Sequence, residues 1–164
     1  MQLSKNLTLV EATKSQTAVR LGIDNQPNKE QLSKMIVTAS KIFQRIRDYF
    51  GRPIGVSSFF RCPELNKAIG GSATSSHCNG EAIDIDADMF GGLTNTQIFN
   101  YIKDKLEFDQ LIAEFKQGSE PAWIHASYRE GNNRKQILIA MIVGGKTVYK
   151  PYSEKEYKDY YGQV

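Results

Sequence analysis

Apolar residues recur at helical spacing between positions 32 and 50: Leu32, Met35, Ile36, Ala39, Ile42, Phe43, Ile46, Tyr49 and Phe50. That period predicts one amphipathic helix. Asn28 with Gln31 forms a capping-box start, and Gly51 and Pro53 stop the helix. A shorter helix is expected to open at Thr8, with Glu11 as its capping partner, and to end near Gly22, before a loop at Asp24-Asn25-Gln26-Pro27. Beyond position 53 the pattern changes to short alternating or apolar runs. Strands are predicted over 54–60, 81–86, 109–115 and 122–129, and a hairpin over 135–149 that turns at Gly144-Gly145. Pro63 suits the first position of a short helix ending at Gly70-Gly71, and a Ser/Thr-rich loop, 72–76, follows. Thr94 with Gln97 caps a further helix carrying Ile98, Ile102 and Leu106. Helices first and mostly adjacent strands afterwards argue for an α+β fold, with a central, mainly antiparallel sheet and N-terminal helices packed on it.

The chain shows no internal repeat and no linker, so a single domain is expected over residues 1–164. Its core should span about 8–149, with a polar, Tyr-rich tail over 150–164 that either packs on the body or frays. Hydrophobic residues are 40% and charged residues 24%, which excludes disordered and fibrous classes. Lys and Arg number 21 against 18 Asp and Glu. A net charge of +3 is too slight a bias to suggest a nucleic-acid partner. No apolar run approaches the roughly 18–20 residues needed to span a bilayer, so no membrane insertion is expected. The first seven residues, Met1 to Leu7, carry one Lys and no apolar stretch behind it. The expectation is a protein without a signal peptide, made in the cytoplasm, and a monomer. Two cysteines, Cys62 and Cys78, make no disulfide framework and suggest a reducing cytosol, with a single bridge left open.

Only two histidines are present, which narrows any imidazole chemistry to His77 and His125. In His77-Cys78-Asn79-Gly80-Glu81-Ala82-Ile83-Asp84, Gly80 permits a sharp turn into a strand. Along that strand Ile83 and Ile85 face one side, and Ala82, Asp84 and Asp86 the other. A chain doubled back this way can bring His77 and Asp84 to one point. In the later strand Trp123, His125 and Ser127 share a face opposite Ile124. Two imidazoles and a carboxylate are suitable zinc ligands, and three protein ligands plus water is the open arrangement of catalytic zinc. A lone strand histidine is more often a hydrogen-bonded structural residue, so His125 by itself decides nothing. The Asp84-Asp86-Asp88 alternation suits a calcium loop poorly, since Met89 and Asn95 stand where Gly and Glu are required. Arg61, ahead of Pro63, can present a fixed guanidinium to a carboxylate or an oxyanion, although an ordinary surface Arg would look the same.

Taken together, Ser58-Phe59-Phe60-Arg61, then Ser75-Ser76-His77-Cys78-Asn79-Gly80-Glu81-Ala82-Ile83-Asp84-Ile85, then Trp123-Ile124-His125 resemble the M15 zinc peptidases. That family shares its fold with D-Ala-D-Ala carboxypeptidases and the hedgehog signalling domain. Cys62-Pro63-Glu64-Leu65-Asn66, Gly70-Gly71 and the stretch 17–27 are similar to its bacterial and phage branch, and the likeness runs over about 8–145. The resemblance implies zinc (Zn2+) held by His77, Asp84 and His125. It implies contact of Arg61 with the substrate or the developing oxyanion, and a substrate-bonding or supporting role for Ser75. Trp123 becomes a candidate wall of the cleft, alongside its reading as a core residue. The implied reaction is hydrolysis of a peptide bond in the peptidoglycan stem peptide by zinc-activated water, as a D,D-carboxypeptidase or as an endopeptidase of L-Ala–D-Glu or D,D type. The implied setting is the cell wall, reached after phage-type release, as by an endolysin, or as a virion component.

One position departs from the family pattern. Several members carry an acidic general base three positions before the last zinc histidine, where this chain has Ala122. Glu114 is the expected replacement. If 109–115 and 122–129 pair with Phe115 opposite Ala122, Ile112 faces His125 and Glu114 falls on the same face, diagonal to it. A one-residue slip would turn Glu114 away, and Glu120 on the connecting loop is a second source. Two other readings remain at this stage. One is a cysteine peptidase with Cys78 or Cys62 as nucleophile and His125 as base. The other is a non-catalytic wall-binding or virion protein that keeps the zinc site without an efficient base. A metal-dependent nuclease fits the slight basic bias poorly.

Overall fold

The computed structural model describes residues 1–162. The chain opens with a small hairpin, β1 (Gln2–Ser4) and β2 (Leu7–Thr8), whose strands are too short to show alternation in the sequence. Leu3 and Leu7 of this hairpin are nevertheless buried in the core. Thr8 then starts α1 (Leu9–Thr13) through the expected reciprocal cap: its hydroxyl accepts from Glu11 N (3.3 Å), and Glu11 accepts from Thr8 N (2.8 Å). The expected single helix to Gly22 is in fact two. Lys14 is extended, and Ser15 opens α2 (Gln16–Leu21) by accepting from Ala18 N. A serine hydroxyl that bonds nearby backbone favours such a start over a helix interior.

The long helix spans the predicted 29–50 but is not uniform. It comprises α3 (Lys29–Thr38), a π-helical segment over Ala39–Phe43, and α4 (Gln44–Phe50). The Asn28–Gln31 capping box and a left-handed Gly51 bound it as the sequence suggests. Met35, Ala39, Ile42, Phe43 and Ile46 face the core. The remaining elements are β3 (Gly55–Ser58), α5 (Pro63–Ala68), β4 (Ala82–Asp86), α6 (Asn95–Lys105), β5 (Gln110–Glu114), β6 (Trp123–Ser127), β7 (Gln136–Val143), β8 (Lys146–Pro151) and α7 (Glu154–Tyr161).

Strands β3 to β8 form one sheet in the order β3-β4-β6-β5-β7-β8. Every neighbouring pair is antiparallel except β5 and β7, which are parallel. The fold is thus α+β with a mainly antiparallel sheet. The β5–β6 hairpin occupies one flank of β5, so the returning chain pairs on the other flank, in the same direction. Period-2 alternation divides the sheet into two faces. Ile83, Ile85, Leu111, Ala113, Ile124, Ala126 and Ile139 belong to the core that the helices complete. The opposite face carries Asp84, Ile112, Glu114 and His125.

The Tyr-rich tail packs. In α7, Tyr157 stacks on Phe99 at 4.9 Å and Tyr161 donates to the Phe115 carbonyl at 2.8 Å. Both tyrosines are buried, so the core takes in side chains on both sides of the 8–149 span. Among the described residues, no helix is long and apolar enough to cross a membrane.

Candidate metal centre

The strand register decides which side chains meet. Asp84 of β4 lies opposite His125 of β6, and His125 lies opposite Ile112 of β5. Glu114 pairs with Trp123 in the same ladder, which is the register that puts Glu114 on the His125 face. His77 arrives from outside the sheet, on a 3-10 turn over Ser76–Asn79. That turn closes at Gly80, which has φ of 75°. A Cβ there would also lie 2.6 Å from the Gln31 carbonyl oxygen and from Met35 Cγ, so only glycine fits beneath α3.

Three donor atoms converge. His77 Nε2 lies 3.2 Å from Asp84 Oδ1 and 3.2 Å from His125 Nδ1, and His125 Nδ1 lies 2.9 Å from Asp84 Oδ1. His77 Nδ1 donates to the Phe59 carbonyl at 2.6 Å. A carbonyl only accepts, so this bond assigns the proton to Nδ1 and leaves Nε2 with a lone pair. Burial pushes the His77 imidazole below its usual pKa, against the pull of Asp84, and the ring is neutral at neutral pH. Burial also raises Asp84, but the two imidazoles outweigh it and hold the carboxyl well below the ordinary range. Two lone-pair atoms, His77 Nε2 and Asp84 Oδ1, therefore face each other without a proton between them.

This donor set fits zinc. A tetrahedral ion with bonds of about 2.0–2.1 Å needs donors about 3.3–3.4 Å apart. The observed separations of 2.9–3.2 Å approach that spacing. The Phe59 carbonyl that orients His77 is the kind of outer partner on which such ligands depend.

Around this centre opens a cleft of about 680 Å³, and Arg61, Ser75, Glu114 and Trp123 line it together with the three ligands. Arg61 follows β3, and its backbone N–H donates to the His77 carbonyl at 3.3 Å. One guanidinium nitrogen lies 3.9 Å from Asp84 Oδ2, while the buried Nε has no hydrogen-bond partner among the described residues. Ser75 lines the cleft just before the 3-10 turn. Trp123 is half-buried, packs edge-on against Phe115 at 5.3 Å and lines the cleft, so it is a wall residue rather than a core one. Glu114 is 8% exposed. Burial pushes its carboxyl up to about 7, His125 and Arg61 pull it down, and Asp84 adds to the rise.

The rival positions lie elsewhere. Glu120 accepts from Thr96 N at 2.8 Å, at the start of α6. Asp86 accepts from Asp88 N and from Asn95, as a turn carboxylate. Both cysteines are free thiols: Cys62 caps α5, burial raises the Cys78 pKa, and neither lines the cleft. The cysteine-nucleophile reading finds no geometry here. The sequence reading missed Arg129, Arg134 and Tyr149, which also line the cleft. Arg134 reaches the site through Asp109, 25 positions away, and no local spacing announces such a contact.

A sequence model of the family described as Peptidase M15 matches residues 5–127, a span that contains all three converging ligands. No curated protein matches the chain.

Proposed function

This chain belongs to the peptidase M15 family, and on that premise we propose that it is a zinc-dependent peptidase that hydrolyses a peptide bond in the peptidoglycan stem peptide. The activity is that of a D,D-carboxypeptidase or of an endopeptidase of L-Ala–D-Glu or D,D type. One observation carries the reading: the convergence of His77 Nε2, Asp84 Oδ1 and His125 Nδ1 within 3.2 Å of one another, a set of ligand atoms that a divalent cation would bridge.

Zinc held by these three residues would supply an acidified water and a Lewis acid for the scissile carbonyl. Glu114 takes the proton that the attacking water loses and returns it to the leaving amine. A carboxyl poised at about 7 suits both transfers near neutral pH. It stands in for the acidic residue that Ala122 replaces, carried by the neighbouring strand. Arg61 offers N–H donors beside Asp84, where the developing oxyanion or a terminal carboxylate of the substrate is held. Trp123 and Ser75 wall the cleft on which the peptide lies. The protein works as a monomer on the cell wall, without nucleic acid or membrane insertion, and reaches it after phage-type release or as part of a virion.

Chelation is expected to abolish cleavage of purified peptidoglycan, and added zinc to restore it. Mass spectrometry of the released fragments identifies the bond. Activity that survives complete metal removal would rule the mechanism out. Zinc-dependent wall binding without released amino groups would favour the non-catalytic reading.

A further inference from the structure

The cleft extends beyond the metal centre along the strands. Its floor is built in rows: Glu114 with Trp123, then Ile112 with His125 and Asp84, then Gln110 with Ser127. At the last row Gln110 Nε2 donates to Gln136 Oε1 at 2.6 Å. Past this row stand two arginines, Arg129 and Arg134, both lining the same cleft. Neither has a part in the mechanism above.

Both gather around Asp109, which is fully buried. Arg134 engages it as a fork, with Nε 2.8 Å from Oδ1 and a terminal nitrogen 2.7 Å from Oδ2, and its backbone N–H adds a bond to Oδ1. A guanidinium has five N–H donors, so this fork leaves three unspent, on a side chain that is half exposed. Arg129 is held differently. Its Nε forms ion pairs at 3.4 Å with Asp109 Oδ2 and 3.7 Å with Glu81 Oε2, and this buried atom makes no hydrogen bond among the described residues. Glu81 is shared with Lys34 at 3.4 Å. One arginine already satisfies both oxygens of Asp109. The second is surplus to that tether, is positioned by charge, and its partly exposed terminal N–H groups are left for another acceptor.

We propose that Arg129 and Arg134 form an anion subsite that recognises a free carboxylate of the substrate, two to four residues from the scissile bond. The spacing follows from the strands. One row is two residues, about 7 Å, and Arg129 stands four positions after His125, two past the end of β6, about 13 Å away at the strand rise. An extended peptide advances by the same rise. Two guanidiniums with unspent terminal N–H donors suit a carboxylate better than a neutral amide. The subsite rests on the peptidase reading for the identity of its substrate, but its occupancy can be measured without cleavage.

The test compares stem-peptide fragments that carry this carboxylate either free or as the primary amide. Binding is measured by calorimetry on the zinc-loaded full chain carrying Glu114→Gln, and KM and kcat on the wild type. The free-carboxylate fragment is expected to bind at least tenfold more tightly, and its KM to be lower by a similar factor. Adding Arg129→Gln should bring the ratio of affinities near one at unchanged zinc stoichiometry. Arg134→Gln would strand the buried Asp109, so Arg134→Lys serves as the second variant, with the ratio expected to fall to about threefold and a melting curve as the control for folding. Equal binding of the two fragments, or a tenfold preference that survives Arg129→Gln, overturns the subsite whatever the cleavage result. A carboxylate preference in binding with no cleavage by the wild type supports the subsite and refutes the peptidase reading instead.

Discussion

Asp84 and Asp109 are two buried aspartates, one in the cleft and one beneath the arginines that line it, and both are held below the ordinary carboxylate range. Their surroundings differ in one respect, the supply of protons. The oxygens of Asp109 meet only donors: the Arg134 fork, the Arg134 backbone N–H and the Arg129 charge. That cluster is complete as it stands. Asp84 meets two imidazole nitrogens, and the Nδ1 proton of His77 is engaged in the hydrogen bond to the Phe59 carbonyl. A saturated carboxylate ties a loop to a strand, whereas a carboxylate that meets two imidazole nitrogens at one point offers a ligand set for a cation. Residue type alone does not separate the two cases; the partners do.

The comparison breaks most sharply on metal binding. His77→Ala is expected to weaken zinc binding by well over the roughly 10–100-fold that losing an outer partner costs, and to remove cleavage with it. Asp109→Asn should leave one equivalent of zinc in place. Metal analysis and calorimetry on the two variants read this directly, and equal zinc retention by both would erase the distinction.

Glu114→Gln comes next. A loss of about 10²–10⁴-fold in kcat is expected at full zinc occupancy, the range for removing a general acid–base group. The same carboxyl has a pH signature in the metal-free protein. Its pKa rises from 4.5 to about 7 on folding, so the folded state holds the proton longer than the unfolded chain. Stability therefore falls as pH rises through that window, by up to about 3 kcal/mol, and the whole loss is present above pH 7. Glu114→Gln should remove this decline, making the metal-free variant more stable than the wild type at pH 8 in urea unfolding. His77, whose pKa is lowered on folding, contributes the opposite slope in both proteins, so the difference between them is the measure. A wild-type-to-variant difference that is the same at pH 4.5 and pH 8 would show that Glu114 is not buried as described.

Asp109 has the opposite sign. The Arg134 hydrogen bonds outweigh burial and lower its pKa on folding. Its contribution is present above the unfolded value of 3.8 and is lost as pH falls through the lower folded one. Asp109→Asn is expected to cost about 2 kcal/mol at neutral pH and to flatten the acid limb of the stability curve. Arg134→Lys, which keeps the charge but loses the fork, should cost about 1 kcal/mol by the same urea measurement. A larger loss for the lysine variant than for Asp109→Asn would mean that the loop does not depend on this carboxylate.

Much of the centre was readable before any coordinates. Gly80 between His77 and Asp84 marks a tight reversal, and period-2 alternation assigns Asp84, His125 and Glu114 to faces. The sequence offered the register with Ile112 opposite His125 as one pairing, with a one-residue slip that would turn Glu114 away as the other, and the structure adopts the first. The caps at Thr8, Asn28 and Thr94 were equally plain, since each depends on residues three apart. The β1–β2 hairpin, the break at Lys14 and the π-helical segment had no such signal. Their backbone states follow from how each piece docks on the rest of the chain.

The sequence by itself determined the chemistry available: two histidines, an aspartate after a glycine turn, an arginine ahead of a helix, and the faces on which strand residues stand. Those follow from interactions a few residues long. Tertiary structure alone decided that His77 Nε2 lies 3.2 Å from both Asp84 and His125, that β7 returns parallel to β5, and that Arg129 and Arg134 meet over Asp109. These contacts join residues far apart in the chain, and their geometry comes from the order in which the strands pack over one core, which no local spacing encodes.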